Sequence, residues 1–107
     1  MDIKIEREDR DANNYFETYA ADQLKKYFNN YTFIESVRVF FRGQKHDSKK
    51  VKLQMRLKGK DIYSEASGPK HDIALDNAID KIKSQIEKYK SKRYRSSKDH
   101  EKAISSE

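Results

Sequence analysis

The chain has 107 residues, enough for one domain with a single modest core, and 39% of them are charged against 35% hydrophobic. It contains no cysteine, which excludes a disulfide framework and thiol chemistry, and no apolar run approaches the length that spans a bilayer. A net charge of +6, from 24 Lys and Arg against 18 Asp and Glu, points to an acidic partner.

The opening stretch, MDIKIERED, has an acid at position 2 and no apolar h-region, so a cytoplasmic protein without a secretory signal is expected. DIKIE alternates apolar and polar residues and predicts a short strand with Ile3 and Ile5 facing inward. The period then lengthens. Phe16, Ala20, Leu24, Tyr27 and Tyr31 recur at steps of 4, 4, 3 and 4, which predicts an amphipathic helix with those five residues as its core stripe. Asn14 with Glu17 three residues on has capping-box spacing, and Asp11 and Asn13 are alternative caps.

From FIESVRVFFRG the period returns to two. Val37, Val39 and Phe41 share one face, and Arg38, Phe40 and Arg42 share the other. VKLQMRLKGK repeats the pattern, with Val51, Leu53, Met55 and Leu57 opposite Lys52, Gln54, Arg56 and Lys58. GKD reads as a hairpin turn into a further strand, DIYSEASG, which Gly68-Pro69 stops. Asp72 is the expected cap of a second helix, whose stripe is Leu75, Ile79, Ile82, Ile86 and Tyr89. Residues 96–107 are polar and aperiodic and read as a disordered tail. The order βαβββα over residues 1–95, with one apolar sheet face and two amphipathic helices to cover it, predicts an α+β two-layer sandwich: a four-stranded sheet with both helices on one face.

Charge is segregated along this order. Residues 1–17 sum to −3, residues 18–60 to +8, residues 61–80 to −4, and residues 81–95 to +6. Catalysis finds little support. His46, His71 and His100 sit in a loop, near a helix start and in the tail, and all three read as solvated. His46-Asp47 and His71-Asp72 are adjacent pairs, which point apart on an extended chain and do not make a metal site. No nucleophile elbow or phosphate-cradling glycine loop is present, and no enzyme, cofactor, metal or small-molecule substrate is expected.

Binding is better supported. At about 100° per residue, Lys81, Lys88, Lys92 and Arg95 line one flank of the second helix and Lys83 and Lys90 the other, with Arg93 completing the seven basic residues of 81–95. Flanking lysines also snorkel over the edge of a core, but seven together repel one another without a counter-charge. Lys25 and Lys26 on the first helix form a second group. Arg38, Arg42, Lys52, Arg56 and Lys58 on the open sheet face form a third, where like charges across strands call for staggering or an anionic ligand. Phe40 among them offers a ring for stacking. A membrane is disfavoured, because the apolar stripe of Ile and Tyr is needed to cover the sheet. Nucleic acid is the favoured partner.

The element order, ADQLKKYF in the first helix and SEASGPKHDIALDNAIDKIKSQIEKYKSK into the second resemble the ribosome hibernation promoting factor family, which includes protein Y. The resemblance covers residues 1 to about 93; Ala66, Ser67, Gly68 and the Gln85–Lys90 helix end are its most specific parts. It implies a βαβββα domain on the small ribosomal subunit, against 16S rRNA where mRNA and the A- and P-site tRNAs lie, silencing idle 70S ribosomes in stationary phase. It also implies that Lys26 matches the basic position of the first helix, and that Lys81, Lys88, Lys90 and Lys92 match those of the second. Ser84 stands where many members have arginine, and Pro69 to Ile73 replace an acidic-acidic-Met-Tyr run. The chain ends too early for the C-terminal domain that pairs ribosomes in longer members, so it is not expected to pair ribosomes by that route; a monomer off the ribosome is also expected. The alternative is a general double-stranded-RNA-binding module, although that fold lacks a strand before its first helix.

Overall fold

The computed structural model describes residues 1–9, 12–43 and 48–95. Its order is β1 (Asp2–Arg7), α1 (Asn14–Phe28), β2 (Ile34–Gly43), β3 (Lys49–Leu57), β4 (Lys60–Gly68) and α2 (His71–Arg95). The strands form one sheet in the order β1-β2-β3-β4. β1 and β2 are parallel, as a crossover through a helix demands, with Ile3 opposite Val37 and Ile5 opposite Val39. β2, β3 and β4 form an antiparallel meander. This is the expected α+β sandwich.

Strict alternation sends Val37, Val39, Phe41, Val51, Leu53, Met55, Leu57 and Ile62 to one face, where all are buried. The β3–β4 turn is two residues, Lys58-Gly59, one position earlier than the sequence suggests, and Gly59 takes φ +79°, which favours glycine. Gly68 serves close approach instead. A Cβ there would lie 3.1 Å from the Ala74 backbone nitrogen, so glycine lets the end of β4 abut the first turn of α2.

The helices cover the apolar face, α2 with Ala74, Leu75, Ala78, Ile79, Ile82 and Ile86 buried. Side-chain contacts show them running side by side in the same direction. Phe16 meets His71 edge-on at 5.3 Å, Tyr19 bonds Asp76, and Lys83 lies over Tyr27. Among the described residues no helix is long and apolar enough to cross a membrane.

Two expectations about the helices need correction, and one open choice between caps is decided. The buried residues of α1 are Ala20, Leu24 and Phe28, whereas Tyr27 is exposed and Tyr31 lies beyond the helix end. The i, i+4 row through Ala20 and Leu24 continues to Phe28, which has no hydroxyl to hydrate. Asn13 caps α1, its side chain accepting from the Tyr15 N–H at 3.0 Å; Asp11 is outside the described residues. α2 begins at His71, so Asp72 lies inside its first turn and does not cap it.

His71 is the largest departure. It is 1% exposed, wedged edge-on between Phe16 and Phe41, with Nε2 2.8 Å from the Asp9 carboxylate. Lys49 Nζ donates to the same carboxylate at 3.0 Å. Burial is affordable because Asp9, 62 positions away, supplies the partner that a solvated reading would leave to water. His46, His100 and the tail 96–107 lie outside the described residues.

Candidate nucleic-acid interface

Lysines outnumber acids towards the C-terminal ends of the two helices, although Asp80 and Glu87 stand among them. At the end where both helices start stand Glu17, Asp72 and Asp76; at the other end stand Lys25, Lys26, Lys83, Lys88 and Lys90. A contribution from the helix itself explains part of this, since Lys25 and Lys26 in the last turn of α1 offset the negative end of its dipole. The arrangement of the ammonium groups goes further. A cleft of about 380 Å³ opens between the helices, lined by Tyr27, Phe28, Tyr31, Lys83 and Ser84 and by two acids, Asp80 and Glu87. Lys26 and Lys83 both rest over the Tyr27 ring, 5.4 and 4.4 Å from its centroid, and Lys90 lies 5.0 Å from that of Tyr31. The ring faces hold the cations by their quadrupole without neutralising them. Among the described residues no carboxylate pairs with Lys25, Lys26, Lys83 or Lys88. Lys90 sits 3.4 Å from Glu87. Burial pulls the Lys90 pKa down, but Tyr31 and Glu87 outweigh it, so the ammonium is held above the ordinary lysine range.

A polar clamp joins the two helices nearer their N-terminal ends. The Tyr19 hydroxyl lies 2.9 Å from both Asp76 oxygens, and Gln23 donates to Tyr19 at 3.3 Å. Burial first, and then the bond to Asp76, push the Tyr19 pKa up to about 12.

The other flank of α2 faces the outer edge of β4. Asn77, Lys81 and Gln85, at i, i+4 and i+8, donate to the carbonyls of Ser67 (3.4 Å), Glu65 (2.8 Å) and Tyr63. Tyr89 continues the row, its hydroxyl 2.7 Å from the Lys58 carbonyl. Side chains thus satisfy a strand edge that would otherwise recruit another strand. Lys81, expected only as a phosphate ligand, has this second task. Lys92, Arg93 and Arg95 lie in the last turns of α2.

On the open sheet face four of the cations are paired within the fold, whereas among the described residues Lys52 has no carboxylate partner. Arg38 meets Glu6 at 2.7 Å, Arg42 meets Glu8 at 3.1 Å, Lys50 meets Glu65 at 3.4 Å, and Arg56 meets Asp61 at 3.3 Å. Apart from Lys52, the basic rows of β2 and β3 are therefore balanced by acids of β1, β4 and the residue after β1. For this pair of cations neither staggering nor an external anion is required: Arg42 and Lys50 do stand opposite each other, each with its own carboxylate. Sequence reasoning missed these acids, and also the two tyrosines that seat the helix lysines. A hydroxyl on each of Tyr27 and Tyr31, next to Phe28 and Phe33, was the available signal that they belong to the rim.

A four-stranded sheet with two parallel helices on one face, and lysines without carboxylate partners among the described residues on those helices, defines a small α+β domain. The family model described as sigma 54 modulation protein / S30EA ribosomal protein matches residues 3–94. The chain belongs to that family, as its resemblance to the hibernation promoting factors implies. Two solved structures share the fold. A ribosomal subunit interface protein from Coxiella burnetii is 21% identical with a TM-score of 0.78, over 85% of this chain and 99% of that one. The N-terminal domain of Protein Y from Thermus thermophilus is 19% identical with a TM-score of 0.72, over 83% and 99% respectively. No curated protein sequence matches the chain.

Proposed function

We propose that this protein is a ribosome hibernation factor. It occupies the small subunit along 16S rRNA, in the mRNA channel and the A and P tRNA sites, and so blocks translation in idle or stationary-phase cells. The observation that carries this reading is the set of lysines on the helix layer, Lys25, Lys26, Lys83 and Lys88, held on a rigid two-helix frame without carboxylate partners among the described residues. Family membership and the ribosomal subunit interface protein of the same fold support the choice of the ribosome over RNA in general.

The mechanism is occlusion. A folded domain with a fixed cationic end binds phosphate-lined walls and excludes mRNA and tRNA by its volume, with no covalent step. Lys81, Lys90, Lys92, Arg93 and Arg95 extend the contact along α2, and Arg38 and Arg42 contribute less because Glu6 and Glu8 already hold them. Affinity then rests on counterion release. With about six phosphates neutralised, the binding constant falls roughly 10³-fold between 50 and 200 mM salt.

The test is co-sedimentation of the purified chain with empty 70S ribosomes through sucrose, with and without mRNA plus initiator tRNA, at near-physiological salt. Saturation at one copy per ribosome, abolished by prior mRNA and tRNA, is the expected result. Unsaturable binding indifferent to those ligands would reduce the protein to a general RNA binder.

A further inference from the structure

The open face of the sheet carries a feature that the helix-layer reading does not use. Three neighbouring strands set a cation between two rings. Lys52 of β3 places its Nζ 5.9 Å from the ring centroid of Phe40 on β2 and 5.9 Å from that of Tyr63 on β4. Arg38 lies 5.6 Å from the same Phe40 ring. Register fixes the group: Phe40 pairs with Lys52, and Gln54 stands between Arg38 and Tyr63.

Most of the other charge on this face is paired, the exception being the exposed Lys4 opposite Arg38 on the edge strand β1. Glu65 is directly opposite Lys52 across the strands, yet its carboxylate goes to Lys50. Among the described residues Lys52 has no carboxylate partner, so it is an uncompensated ammonium on a central strand of a largely paired surface. Tyr63 is 49% exposed, although a tyrosine ring on an open face gains nothing from contact with water.

We infer that this face is a second, separate binding site, for single-stranded nucleic acid, with a base stacked on Tyr63, Phe40 bordering the neighbouring position, Gln54 offering an amide to a base edge and Lys52 taking the phosphate. Rings with an interleaved cation are what an unstacked base and its phosphate require, and every base has a π-face to present. A duplex fits poorly, because its bases are stacked on one another and its phosphates would meet the glutamates at the rim. This site lies on the opposite side of the sheet from α1 and α2 and does not depend on how the helix layer binds.

The experiment is an NMR titration of the isotope-labelled chain with an eight-nucleotide uridine RNA, beside an A-form duplex of the same length, at near-physiological salt. Shifts centred on Phe40, Lys52, Gln54 and Tyr63 with the single strand, and not with the duplex, are expected. Tyr63→Ala, at an exposed position, should weaken single-strand binding about tenfold. Lys52→Gln should lower its salt dependence by about one ion. Lys26→Glu with Lys88→Glu should leave the sheet-face shifts in place, which separates this site from the helix layer. Shifts confined to α1 and α2, or wild-type affinity in both sheet variants, would overturn the inference. So would equal perturbation of the rings by duplex, or a response to an acidic peptide with none to RNA, which would make the face a protein-binding site.

Discussion

The helix layer and the open sheet face are both rich in Lys and Arg, but they hold their charges differently. On the sheet, Arg38, Arg42, Lys50 and Arg56 each sit within 3.4 Å of a carboxylate. On the helices, Lys26 and Lys83 rest on the ring of Tyr27, which orders them without cancelling them. A count of basic residues ranks the two surfaces as near equals. The field outside them is not equal, because an ion pair is seen from a distance as a dipole whereas a lysine over a ring is seen as a full charge. Availability, more than number, decides which surface meets phosphate.

The largest test of that difference removes charge from the helix layer. Lys26→Glu together with Lys88→Glu should weaken ribosome association roughly 30-fold at physiological salt and cut the salt slope by about two. Both residues are exposed, so the fold should survive, and thermal unfolding of the double variant checks this. Undiminished co-sedimentation would show that the lysines are a solvated rim and would end the comparison.

A smaller and sharper test works on the sheet. Arg38→Gln with Arg42→Gln should change affinity for RNA less than twofold, since those cations are already balanced. Glu6→Gln with Glu8→Gln should do the reverse, freeing two guanidinium groups and steepening the salt slope by up to about two. Filter binding to a single rRNA fragment over a salt series measures both. Equal losses from sheet and helix variants would mean that ion pairing in the free protein does not govern access.

Much of the fold is legible in the sequence, for physical reasons that also mark where legibility stops. Val51, Leu53, Met55 and Leu57 announce β3 because a half-buried antiparallel strand must alternate. Ile79, Ile82 and Ile86 announce α2 because only a helix brings that spacing onto one face. The pairing of Arg38 with Glu6 is not legible. It depends on a parallel register in which Lys4 faces Arg38 and Glu6 reaches it from the diagonal, and period-two patterning says nothing about which residues of two strands meet. His71 is hidden for a related reason. Its partner Asp9 is remote in sequence, so next to Asp72 it looks like a loop residue, and only the packed fold shows it closing the core. The basic residues of α1 and α2 were readable as a class; which of them stand free of carboxylates was not.

The smallest effect concerns the clamp that holds the helix surface in shape. Tyr19 joins α1 to Asp76 of α2 through both carboxylate oxygens, nearer the start of the helices than the lysines are. Folding raises its pKa from the ordinary 10.0 to about 12, so the folded state favours the neutral phenol. The stability this supplies is complete below pH 10, the unfolded value, and is lost as pH rises through 12. Urea titrations between pH 9 and 12 should therefore show stability falling across that window from this group. Tyr19→Phe removes the hydroxyl and leaves Asp76 short of a donor, at a cost of about 1–2 kcal/mol near neutral pH. In that variant the tyrosine contribution to the alkaline decline should vanish, while RNA affinity at pH 7 should fall no more than about twofold, the lysines being untouched. A much larger loss of RNA binding in a still-folded Tyr19→Phe protein would mean that helix spacing, and not free charge alone, distinguishes the helix surface from the sheet.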